Sequence, residues 1–102
     1  MALPIRWAPN AARHLEDIID FIEKDSLQYS VIFAKRVVSI VNSIPSFPYS
    51  GRVVPEYNLP YLREKIFQGY RIVYCITPNG IEIVAISHGA RLLHHVIDPD
   101  AK

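Results

Sequence analysis

The sequence predicts an α+β domain: an N-terminal strand and a helical hairpin packed on a small antiparallel sheet. Apolar residues at helical spacing fill the first half, and aromatic and β-branched runs fill the second. A proline-rich stretch divides the two, giving the order β-α-α-β-β-β with a short C-terminal tail. At 102 residues the chain makes one domain, 1–102, with a single modest core.

The fragment IRWAP is short and bulky and predicts a strand from Leu3 to Trp7. Pro9 suits the first turn of a helix, where a missing amide hydrogen costs nothing. Leu15, Ile18, Ile19 and Ile22 then recur at helical spacing, with Glu16, Asp17, Asp20 and Glu23 on the other faces. Ser26 caps a second helix that runs to about Ile44, because Pro45 disfavours helix at the residue before it. Val31, Ala34, Val38, Val41 and Ile44 line one of its faces; Phe33, Val37 and Ile40 line a neighbouring one. The apolar band is wider than a one-sided helix needs, so it is either deeply buried or shared with another chain.

Residues 45–60 hold four of the eight prolines and form a long connection. Three strand-like runs follow: Tyr61 to Phe67, Tyr70 to Ile76 and Ile81 to His88. Between the last two, Thr77-Pro78-Asn79-Gly80 has the residues of a type I turn. A regular hairpin sets Arg71 opposite Ile86 and on one face with His88. A one-residue bulge at Gly80 sets Arg71 opposite Ser87 and turns His88 to the other face.

Composition narrows the function classes. Half the residues are hydrophobic and 21% are charged, which excludes a disordered chain. Cys75 stands alone, so no internal disulfide forms and a reducing, cytoplasmic setting is expected. No apolar run reaches the roughly 18 residues of a membrane span. Residues 1–30 carry three basic and five acidic side chains; residues 52–91 carry five basic and three acidic. That excess is small for a nucleic-acid binder. No metal site, phosphate loop or cofactor motif is present in the sequence.

Arg71, His88 and Arg91 gather at the open end of the hairpin. Two arginines can grip a phosphate or carboxylate, and a histidine beside them can move protons near neutral pH. That set suits RNA cleavage through the 2′-hydroxyl, and equally suits holding an acidic protein surface. A solvated or salt-bridged arginine is the structural alternative, with Glu82 or Glu64 as its partner. His94 and His95 are adjacent and cannot face the same way in a helix or strand.

In order and spacing, four segments resemble the RelE/ParE superfamily, the toxins of bacterial type II toxin–antitoxin modules, also called plasmid stabilisation proteins. These are IRWAPNAARHLEDIIDFIEKDS, IPSFPYSGRVVPE, LREKIFQGYRIVYCI and IEIVAISHGAR. The resemblance implies a helical hairpin on an antiparallel sheet and a cytoplasmic hetero-oligomer with a cognate antitoxin. It implies two mechanisms. RelE-like members are ribosome-dependent messenger-RNA endonucleases, metal-independent, whose site would fall on Arg71, Arg91, His88 and Lys65, with the family's tyrosine position near Ile97. ParE-like members poison DNA gyrase by protein contact, and their contacts would fall on Arg63, Arg71, His88 and Arg91. GRVVPE, HGAR and the missing tyrosine bring this chain closer to ParE. The antitoxin is expected on the second helix at Phe33, Val37 and Ile40 and along the exposed sheet edge.

Overall fold

The computed structural model describes residues 3–93. Strand β1 (Ile5–Trp7) leads into helix α1 (Pro9–Glu23), and helix α2 (Leu27–Ser43) returns beside it. Pro9 occupies the first helical turn as expected, and the Ser26 hydroxyl caps α2 by accepting from the Tyr29 amide at 3.0 Å. The connection after α2 is built of two 3-10 turns, Ile44–Ser46 and Pro48–Ser50, and a two-residue strand β2 (Arg52–Val53). Strands β3 (Leu62–Phe67), β4 (Tyr70–Thr77) and β5 (Gly80–His88) form the meander.

The five strands make one sheet in the order β1-β5-β4-β3-β2. It is mixed rather than wholly antiparallel, because β1 runs parallel to β5, with Ile5 beside Ile81 and Trp7 beside Ile83. Gly80 permits that junction. It has a φ of +144°, and a Cβ there would lie 2.4 Å from the Pro4 carbonyl oxygen.

The hairpin register follows the second expectation by a different route. Thr77 pairs with Gly80 and Tyr74 with Ile83, the spacing of a regular turn. Val73 then pairs with Ala85, so the extra residue is Val84 and not Gly80. Beyond it Arg71 lies opposite Ser87 and Tyr70 opposite His88, on opposite faces of the sheet.

Each face has its own core. Against the helices pack Ile72, Tyr74, Ile81, Ile83 and Ile86, with Phe33, Val37, Val41 and Ile44 of the second helical segment above them. Across the sheet Val73, Ala85 and Leu62 are covered by Val54 of the connection and by Leu93. Phe33 is 1% exposed and Val37 0%, while Ile40 packs half-buried against the same core. The expected antitoxin face at Phe33, Val37 and Ile40 is thus buried at its first two positions: the stripe Phe33, Val37, Val41 is the one that meets the sheet. The outward apolar residues include Leu27, Val31 and Val38. No helix among the described residues is long and apolar enough to cross a membrane.

Candidate functional site

A tight turn through Gln68 and Gly69, both at positive φ, delivers β4 with Arg71 as its second residue. Strand alternation points Arg71 away from the helices, on the same face as Glu64 of β3. Its Nε donates to Glu64 Oε1 at 2.7 Å. Nη1 and Nη2 donate to the two carboxylate oxygens of Glu56, at 2.6 and 2.7 Å. The other Glu64 oxygen accepts from Arg52 Nε. Arg71 is 5% exposed and Glu64 1%, so the centre of the network is buried, while its Arg52 end reaches solvent.

The same groups hold the chain that leaves β5. Arg71 Nη1 reaches the Arg91 carbonyl at 3.4 Å, and the Leu93 amide donates to Glu56 Oε2 at 3.1 Å. Hydrogen bonding from Arg71 brings the Glu56 carboxyl from 4.5 down to about 2, against the opposing effect of burial. Arg71 is shifted upward by the same pairing with Glu56, and Glu64 adds to it. Chemically the arrangement is a clamp. Its guanidinium is buried and held through all three nitrogens by two carboxylates, so it is poorly placed to take a phosphate or an acidic partner.

The other expected site residues are dispersed. His88 is exposed on the helix side of the sheet, edge-on to the Tyr70 ring at 5.7 Å, with Nδ1 accepting from the Ala90 amide. The Arg91 side chain is exposed. Arg63 and Lys65 point to the helix side of β3, away from Arg71. Arg63 donates to the carbonyls of Pro60, Tyr49 and Gly51 and lies 5.0 Å over the Tyr49 ring. Of the structural partners anticipated for Arg71, Glu64 takes that place, while Glu82 pairs with Arg6. His94, His95 and Ile97 lie outside the described residues.

Sequence reasoning passed over two residues. Glu56 sits in the proline-rich connection, where nothing local marks it as the main partner of an arginine 15 residues on. His14 left a signal: it lies four residues before Ile18 on the apolar stripe of α1. Its Nδ1 accepts from the Ile86 amide at 3.2 Å, beyond the point where β1 stops covering β5. Burial holds its pKa below the usual 6.5, and the charge of Arg91 adds to the effect.

The family description "ParE toxin of type II toxin-antitoxin system, parDE" matches residues 5–93, which take in every helix and strand among the described residues. The helical hairpin on its sheet is thus that of a toxin–antitoxin toxin. More particularly, the chain belongs to the ParE toxin family. A solved structure titled "Chromosomal ParDE TA system from P. aeruginosa" is similar at 17% identity, covering 85% of this chain and 96% of that one with a TM-score of 0.70. At that identity the likeness is one of fold. A search of curated proteins finds no match.

Proposed function

We propose that this chain arrests growth by poisoning DNA gyrase through protein contact and is held inert by a cognate antitoxin. The observation that carries the reading is the capture of Arg71 by Glu56 and Glu64. An RNA-cleaving site would need that cation free beside a proton carrier. Here the guanidinium is neutralised, and His88 stands on the opposite face of the sheet. A toxin that works by binding needs no such constellation, only surface. The outward side of α2, with Leu27, Val31 and Val38 exposed, supplies an apolar stripe for an antitoxin helix, in place of the buried Phe33 and Val37.

The test is pulse-labelling of DNA and protein synthesis in the minutes after the chain is induced alone, paired with a supercoiling assay on purified gyrase. DNA synthesis stopping first, with supercoiling inhibited, supports the reading. Protein synthesis stopping first overturns it in favour of a ribosome-dependent nuclease. Unchanged synthesis identifies a non-toxic member.

A further inference from the structure

The turn between the helices and the sheet displays aromatic side chains that the core does not use. Phe47 is 71% exposed and Tyr49 62%. They are rigidly held. The buried Tyr74 hydroxyl donates to the Pro48 carbonyl at 2.7 Å and accepts from the Gly51 amide at 3.0 Å, while Arg63 lies over the Tyr49 ring. Rigid, exposed Tyr and Phe beside Arg is the composition of an interface centre. Arg63 and Lys65, on the neighbouring strand, have no carboxylate partner among the described residues, because Glu56 and Glu64 are turned inward to Arg71. The shelf is therefore apolar at its centre and positive at its rim. Two cations, one of them already donating to three carbonyls, are too few for phosphate-driven nucleic-acid binding, so a protein surface with an acidic rim is the better fit.

The chain carries such a surface itself. At the far end of α2, about 25 Å away for its 17 residues, the tip of the helical hairpin exposes Phe21 at 64%. Asp17 lies one helical turn before it, and Asp20 and Glu23, with Lys24, line an open hollow beside it. No ion pair among the described residues engages these carboxylates.

We infer that the Phe47–Tyr49 shelf is a docking surface for a second copy of this chain, whose Phe21 tip seats on it. The two patches differ and stand at opposite ends of the molecule, so the contact is heterologous and propagates head to tail. It is a small, charge-steered interface and forms at high protein concentration and low salt.

Sedimentation equilibrium of the whole chain, at up to about 1 mM protein, tests this. The wild type should rise above its 11.6 kDa monomer mass with concentration and fall back as NaCl is raised from about 50 to about 500 mM. The Phe47→Ser/Tyr49→Ser variant and the Phe21→Ser variant should each remain monomeric, with unchanged circular dichroism, since all three side chains face solvent. An equimolar mixture of the two variants retains one intact pair of patches and should stop at a dimer, about 23 kDa, twice the monomer mass. A wild type that stays monomeric overturns the inference. So does either variant associating like the wild type, or a mixture that forms no dimer.

Discussion

Arg71 and Glu56 meet in two parallel hydrogen bonds of 2.6 and 2.7 Å, although 15 residues separate them in the chain. The pair joins β4 to the connection that crosses the sheet, and through the Leu93 amide it also fastens the segment after β5. A buried pair of this kind is costly to break from one side, because the partner remains as an unpaired charge. Arg71→Met should therefore lower unfolding free energy by about 3–5 kcal/mol in urea titration. Adding Glu56→Leu should recover much of that loss, since Glu64 keeps Arg52. A single variant as stable as wild type would show that the clamp contributes nothing.

Acid should loosen the same clamp in a defined window. Glu56 is brought from 4.5 to about 2 in the folded protein, so the unfolded chain binds more protons between those values. Its contribution is complete above pH 4.5 and is lost as pH falls through about 2. Melting temperature against pH should fall less steeply across that window in Glu56→Gln than in wild type.

His14 acts in a higher window with the same sign. Its neutral ring accepts the Ile86 amide hydrogen, and its folded pKa lies below 6.5. Burial is the main cause, followed by Arg91. Asp17 opposes the shift and Arg13 adds slightly to it. Stability from this contact is present above pH 6.5 and declines below it. His14→Asn keeps a hydrogen-bond acceptor without a titrating proton, and should remove that decline in a pH series of urea midpoints.

On α2, Phe33→Ala should cost about 3–5 kcal/mol, while Val38→Ala should stay within about 0.5 kcal/mol. The contrast follows from 1% against 42% exposure at positions five residues apart, on different faces of the helix. Equal effects would mean that the helix is rotated relative to the sheet.

Gly51 sits where a Cβ would come within 2.6 Å of the Tyr74 hydroxyl oxygen and 2.7 Å of the Glu64 carbonyl oxygen. Gly51→Ala should destabilise by about 1–3 kcal/mol through overpacking. Because the hydroxyl is one of the clashing atoms, Tyr74→Phe should add less to Gly51→Ala than it costs alone. Strict additivity in the cycle would contradict the close packing.

Local chemistry was legible in the residues. The cap at Ser26, Pro9 at the start of α1 and the Pro78-Asn79 turn each act within a few positions, and the elements fall where they predict. The apolar positions of α2 were legible too, but the stripe that turns inward was not. With apolar residues on two neighbouring faces, the choice belongs to the sheet it meets. The bulge at Val84 has no mark of its own, for Val84 is one β-branched residue in a run of them, yet it decides which face His88 takes. The clamp was half legible. Glu64 lies on the adjacent strand within diagonal reach of Arg71, whereas Glu56 enters only through the path of an irregular connection.

The parallel pairing of Ile5 with Ile81 joins the third described residue to a strand 76 positions away. Every other strand pair in the sheet closes over a much shorter loop. Closing the long one carries the largest entropy cost, so β1 should dock after the β3–β4–β5 meander has formed. During synthesis the first strand has no neighbour to pair with until residues 81–83 have been made. The first strand made is thus the last to find its place, and the sheet gains its parallel edge only once β5 is there to receive it.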